Sequence, residues 1–214
     1  MIDADHSPNS VNHKKSYPII VQTFFTLEAL LTHIANLYQV SEESLDALAA
    51  NCKKLELAKG EHLVNEGSVC RNLYFIERGC VRGYYLLEEK ELTYWFAFEN
   101  DFFTSFHSFI TKSPSVEKLQ TMEDTSLWSI SRDALYKLYD RYPHIERLGR
   151  IVCENYYIRL DERLVKSQFK TAPERYEDLI TNHPHILQRV PLGYIASFLG
   201  ISQETLSRIR SKKM

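Results

Sequence analysis

The run Leu192 to Lys212, LGYIASFLGISQETLSRIRSK, restricts its part of the fold more than any other stretch, because Gly200 interrupts two short segments of helical apolar periodicity. A glycine there can take the positive φ that ends one helix and turns the chain into the next. Counting Leu192 as position one, Ala196 falls at five, Gly200 at nine, and Leu206 and Ile209 at fifteen and eighteen. A small residue at Ala196 admits close approach of the second helix, and Ile195, Leu199, Ile201, Leu206 and Ile209 supply a shared core. The spacing predicts a helix-turn-helix. Ser202 stands where an N-cap belongs, so the second helix should begin near Gln203. With Leu206 and Ile209 inward, the outward face carries Gln203, Glu204, Ser207 and Arg208. Arginine can donate bidentately to guanine and glutamate can accept from cytosine N4, which suits Glu204 and Arg208 to a G·C pair, with Arg210, Lys212 and Lys213 nearer the phosphates. An ordinary helical hairpin with a solvated face would also carry these charges. Agreement of the four slots, the cap and the basic end favours base readout.

Charge distribution points the same way. The chain has a net charge of −2, yet from Glu162 onward basic residues outnumber acidic ones, and the acidic excess lies before it. Only the C-terminal part suits a polyanion, and the modest excess predicts salt-sensitive binding that needs two copies to be tight. At 214 residues and 44% hydrophobic composition the chain can bury a core of one large or two modest domains. No apolar run reaches membrane-spanning length and the first residues lack the apolar centre of a secretory signal, so the cytoplasm is expected and no membrane partner. Cys52, Cys70, Cys80 and Cys153 form no CxxC pair, so no metal site is expected, and His183 and His185 read as a polar loop.

Residues 1–22 are polar and read as a flexible lead-in. Leu27, Leu30, Leu31, Ile34 and Leu37 recur at helical spacing, and Ser41 opens a second helix carrying Leu45, Leu48 and Ala49. From Lys54 to Ile130 the pattern becomes short, alternating, aromatic and β-branched runs punctuated by Gly60, Gly67 and Gly79, with Asn100-Asp101 able to make a tight turn. Many short strands at that spacing predict a sandwich or barrel. Ser131 should cap a short helix, and Pro143 should begin a long one on which Ile145, Leu148, Val152, Tyr156, Leu160 and Leu164 form a stripe. Such a stripe fits a two-stranded dimer seam through Leu148, Val152, Tyr156 and Leu160, or burial against the chain's own sheet, and one helix can do both. Thr171 to Asn182, with Pro173 in its first turn, reads as a capped helix packed under the helix-turn-helix.

The order KGEHLVNEG…LYFIERGCVRGYY resembles the cyclic-nucleotide-binding β-roll, and with the helix-turn-helix the chain from about Glu28 onward resembles the Crp/Fnr family of transcription regulators. The resemblance implies an α+β fold: a jelly-roll-like sensor domain with flanking helices over 23–142, a dimerisation helix over 143–168, and an all-α DNA-binding domain over 169–214. It implies double-stranded DNA with an inverted-repeat operator and a second copy of the chain as partners, with RNA polymerase a further candidate. Those regulators continue into a β-hairpin wing beyond the point at which this sequence stops, so a truncated domain with weaker phosphate contacts is expected.

Family members that bind a nucleotide carry a glycine-glutamate pair for ribose and an arginine for the cyclic phosphate. The matching positions here are Thr104, Ser105 and Ser115. A buried phosphate without a cation is prohibitive, so cyclic AMP is not expected as a cofactor; Lys112 and Lys118 lie nearby but lack the bidentate fork. The aromatic crowd around Trp95, Phe98, Phe103 and Phe106, with Ser105 and Ser115, is either core or the lining of an effector pocket. His107 as a haem ligand is a weaker alternative. An enzyme on a jelly-roll scaffold ranks last, because His62 and His107 form no HxH-plus-carboxylate arrangement, and a sensor or interaction module that does not bind DNA stands as the second reading.

Overall fold

In the computed structural model, which describes residues 27–211, the alternation after Cys52 folds into antiparallel strands: β1 (Lys53–Leu57), β2 (His62–Val64), β3 (Asn72–Arg78), β4 (Val81–Leu87), β5 (Lys90–Ala97), β6 (Phe102–Phe103), β7 (Lys118–Thr121) and β8 (Thr125–Ser131). They form two four-stranded sheets, ordered β1-β8-β3-β6 and β2-β7-β4-β5. Because side chains alternate, one face of each sheet points inward, and Val64, Tyr74, Ile76, Val81, Leu119 and Leu127 fill the space between as one buried cluster. The sandwich expected from the pattern is therefore present, and the whole is an α+β molecule.

Two turns show how local chemistry and tertiary demand share control. Asn100 takes φ 70° between β5 and β6, as its tolerance of the left-handed region allows. The hairpin joining Leu87 to Lys90 instead places Glu88 and Glu89 at φ 48° and 69°, a turn that ordinarily selects asparagine and glycine.

Phe75, Trp128 and Ile130 face out from the β1-β8-β3-β6 sheet, and helices cover them: α1 (Glu28–Leu37), α2 (Glu42–Asn51), α4 (Arg132–Arg141) and the start of α5 (Pro143–Phe169), while the short α3 (Phe106–Thr111) follows β6. Leu30, Ile34, Leu48, Leu135, Leu138 and Ile145 join that cluster. Ser41 and Ser131 accept the backbone amides of Ser44 and Ala134, capping α2 and α4. The 27 residues of α5 reach about 40 Å, long enough to leave the sheets behind.

The stripe along α5 is mostly used within its own chain. Leu148 and Val152 are 5% and 9% exposed, Tyr156 stacks on Phe106 with ring centroids 3.9 Å apart, and Leu160 is half-buried. A stripe repeating every three or four residues states that a face is covered but not by what, and here helices α1, α2 and α4 pack against α5. The apolar surface left open lies round the helix at Tyr157, Ile158, Leu164, Val165 and Phe169. The rest of the described chain is helical: α6 (Ala172–Asn182), α7 (Ile186–Arg189), α8 (Leu192–Leu199) and α9 (Gln203–Ser211). Among the described residues no helix is long and apolar enough to cross a membrane.

Candidate nucleic-acid interface and roll interior

Helix α8 ends where Gly200 takes φ 66° and ψ 35°, its amide donating to Ala196 and Ser197. The chain then reverses into α9. Leu206 (0% exposed) and Ile209 (8%) turn inward onto Ile195, Ala196 and Leu199, with Tyr176 and Leu179 of α6 beneath. Ser202 Oγ accepts from the Thr205 amide at 3.2 Å, the cap its position calls for. Thr171 and Glu174 form a capping box at the start of α6, with the Thr171 amide donating to Glu174 Oε2 at 2.7 Å.

With the inner face fixed, Gln203, Glu204, Ser207 and Arg208 are all exposed side by side on α9; Arg210 is half-buried beyond them, and Lys212 lies outside the described residues. A hydrogen bond from Ser202, then the backbone and Arg208, hold the Glu204 carboxyl below the usual range, so it is an ionised acceptor at neutral pH. The ridge thus presents acceptor and fork-shaped donor one helical turn apart.

The helical domain rests against the outer side of the β2-β7-β4-β5 sheet. Ser197 Oγ accepts from the Thr93 amide at 2.9 Å and donates to the Glu91 carbonyl at 3.0 Å, so α8 lies along the free edge of β5. Arg189 donates to Glu99 at 2.7 and 2.9 Å and to Glu123 at 3.0 Å, and Tyr194 stacks over the fully buried Arg82, 3.6 Å from its guanidinium carbon. His183 lies in the loop after α6, as expected, and its ring stacks on Phe98 with centroids 4.7 Å apart, where burial lowers its pKa. Nothing in the HPH triplet signals this, because the contact depends on where α6 ends.

Inside the roll, Trp95 lies across Gly83 so closely that a Cβ there would stand 2.2 Å from the indole. Trp95 Nε1 donates to Glu117 Oε2 at 3.1 Å, Phe103 stands 5.8 Å from the indole, Ser105 and Ser115 Oγ are 2.9 Å apart, and Ser115 donates to the Glu117 carbonyl at 2.8 Å. The structure therefore brings Trp95, Phe103, Ser105 and Ser115 together in the roll, while Phe98, which joins the helical domain, and Phe106, which meets α5, line a neighbouring cleft that Trp95 and Phe103 also reach. Sequence reading missed Glu117 and Gly83. Strand alternation through Glu117, Lys118 and Leu119 could have found Glu117, since Leu119 is a core residue two places on. The same alternation directs Lys118 away from the interior, and Lys112 is the exposed left-handed C-cap of α3, so neither supplies a cation there.

Burial raises the Glu117 pKa against the opposing hydrogen bonds of Ser105 and Trp95. Unfolded, the same carboxyl ionises at its ordinary value, so between the two values the folded chain keeps a proton that the unfolded chain has released. Stability then falls as pH rises through that window, the cost is complete above the folded value, and it vanishes below the ordinary one. Glu117→Gln keeps an acceptor for Trp95 and removes the charge. Its Tm should exceed that of the parent by about 2–4 °C at pH 8, corresponding to ~1 kcal/mol, with the difference shrinking toward pH 4. A pH-independent difference in calorimetry would contradict this assignment.

His62 bonds the Tyr84 hydroxyl at 2.9 Å and His107 is exposed on α3. Among the described residues no group of three or more His, Cys, Asp or Glu is arranged to hold a metal ion, and the four cysteines are free.

Residues 54–142 match the model of the cyclic nucleotide-binding domain. The chain is similar to solved structures over most of its length. FixK2 from Bradyrhizobium japonicum is 21% identical, with 75% of this chain and 83% of that one covered at a TM-score of 0.63. The catabolite activator protein of Thermus thermophilus is 19% identical, with 82% and 84% covered at 0.53. A structure from Eubacterium rectale described as a transcriptional regulator of the Crp/Fnr family is 17% identical, with 81% and 85% covered at 0.63. No curated protein sequence is matched by this chain.

Proposed function

We propose that this chain, which carries a cyclic nucleotide-binding-type roll and has the fold of Crp/Fnr transcription regulators, is itself a homodimeric regulator that reads an inverted-repeat operator. The observation that carries the reading is the exposed row Gln203, Glu204, Ser207 and Arg208 on a helix whose other face is locked by Leu206 and Ile209. In a two-fold dimer, two such rows stand about one DNA turn apart, so the half-sites are inverted and spaced by roughly 10 base pairs. Selection of bound duplexes from a random library tests this directly, and an enriched inverted repeat is expected. No enrichment at low salt would leave a roll-based sensor or interaction module instead.

The second copy is proposed to pair along the open side of α5. Tyr157, Ile158, Leu164 and Val165 are 68%, 53%, 56% and 47% exposed there, an apolar surface that a monomer would leave in water. Leu164→Asp places a carboxylate in that seam and is expected to convert the dimer to monomer in sedimentation velocity, lowering operator affinity at least tenfold because one half-site is lost. A Leu164→Asp chain that stays dimeric would move the interface elsewhere.

The effector, if it enters the roll, is proposed not to be cyclic AMP. The place a nucleotide would take holds the Trp95 indole and the buried Glu117 carboxylate, which repels a phosphate.

A further inference from the structure

Between β5, the second half of α5, and helices α6 and α8 runs a cleft of about 850 Å³. It reaches the roll interior at Trp95 and Phe103, but Ser105, Ser115 and Glu117 do not line it. Its walls are rich in rings: Tyr85, Tyr94 and Phe96 from the sheet, Tyr156 from α5, and Phe198 from α8. Flat, half-buried rings offer stacking faces to a flat ligand.

The charges in the cleft do not cancel. Asp101 is paired with Arg159 at 2.7 Å, Glu162 with Lys166 at 3.1 Å, and Asp178 with Lys170 at 2.6 Å. Arg163 is left over. Its guanidinium lies 4.1 Å from the Tyr94 ring and 4.9 Å from the Phe198 ring, and no carboxylate among the described residues forms an ion pair with it. Burial lowers its pKa but leaves it charged, which marks a cation that has given up part of its water. Arg175, also in the lining, donates to the Lys170 and Leu199 carbonyls at 2.6 and 2.9 Å and to no carboxylate.

We infer that this cleft binds a small organic anion with a planar aromatic body and a single acidic group, the acid meeting Arg163 and the rings stacking within the aromatic walls. Arg163 also hydrogen-bonds Tyr94, and a guanidinium has five N–H donors, so those not engaged there can take a carboxylate or sulfonate through two parallel hydrogen bonds. One acid is favoured over two because Asp101, Glu162 and Asp178 line the same cleft and Arg175 is turned onto backbone carbonyls, so a second negative charge would face carboxylates. Since Arg163 sits on α5 and Phe198 on α8, an acid that draws the guanidinium away from the Phe198 ring weakens a contact that holds the helix-turn-helix against the roll. That regulatory consequence rests on the DNA-binding reading above. The binding itself does not, and is measured without DNA.

Two fluorescent probes with equivalent rings separate the charge from the rings: anilinonaphthalene sulfonate and the neutral phenylnaphthylamine, each titrated into the full chain. The sulfonate is expected to bind saturably at one site, at least about tenfold tighter than the neutral probe. Arg163→Met should bring the sulfonate down to the neutral probe's affinity. Leu160→Trp, which narrows the cleft from the α5 wall without touching a charge, should weaken both. Naphthalene acetate should displace the bound sulfonate competitively. Equal affinity of the two probes for the parent chain, or sulfonate binding unchanged by Arg163→Met, would overturn the inference and place the probe in the apolar pocket of about 440 Å³ beneath α1 and α5, which contains neither Arg163 nor Leu160. If circular dichroism shows that Arg163→Met does not fold, Leu160→Trp decides alone, with undiminished sulfonate binding as the overturning result. A failed DNA selection alters none of these readouts.

Discussion

A chain in which Glu204 and Arg208 are both alanine is expected to lose its preference among DNA sequences, by about 100-fold or more, while keeping its fold and its weak affinity for any duplex. Neither side chain belongs to the buried cluster that holds α8 on α9, and alanine favours the helix, so Tm should hold steady. Each good base contact is worth about 1–3 kcal/mol of discrimination, so losing both accounts for the magnitude. The double change removes one negative and one positive charge together. The slope of log affinity against log salt should therefore move by no more than about one phosphate contact, separating lost reading from lost electrostatic attraction. Binding of the selected duplex and a scrambled one, compared at several salt concentrations, measures both. Preference retained at full strength would remove these two residues from base readout.

Trp95→Ala is expected to be the most destabilising single change in the roll. The indole fills the space above Gly83 and donates to Glu117, so its removal opens a cavity and leaves a buried carboxylate without one of its donors. Large-to-alanine changes of aromatic core residues cost about 3–5 kcal/mol. Trp95 is only partly buried, which places it near the lower end, or a Tm lowered by about 6–12 °C in a chain of this size. The vacated space should still give no saturable stabilisation by cyclic AMP in thermal-shift titration. Arg82 lies on the outer side of the sheet beneath Tyr194, and Lys118 alternates outward, so neither of these basic groups faces the cavity. A clear cyclic AMP response in either chain would refute the assigned polarity of the roll interior.

What could be read in advance was what short-range chemistry controls. Gly200 and Ala196 fix the turn between α8 and α9 because few other residues fit those positions, and Ser41, Ser131 and Ser202 each cap the helix they precede. The alternation that built the sheets is similarly local. Three features were decided by distant partners. Leu148 and Val152 are buried within the chain's own fold because α1, α2 and α4 pack against α5. Glu88 and Glu89 adopt left-handed backbone because the register from Leu87 to Lys90 leaves two residues for the turn. Arg163 became the unmatched charge of a cleft only once Tyr94 and Phe198, far apart in sequence, closed over it. Period and composition carry no information about such meetings, so the site proposed for an aromatic anion had no sequence signature.

Helix α8, lying along the margin of β5 with Ser197 satisfying the Thr93 amide and the Glu91 carbonyl, also works as a guard against self-association. Displacing the helical domain from the roll would leave that margin an unpaired row of donors and acceptors, available to another chain's strand. Concentrated preparations should consequently clump in proportion to the time the two parts spend apart, and whatever clamps them together should also keep the protein in solution.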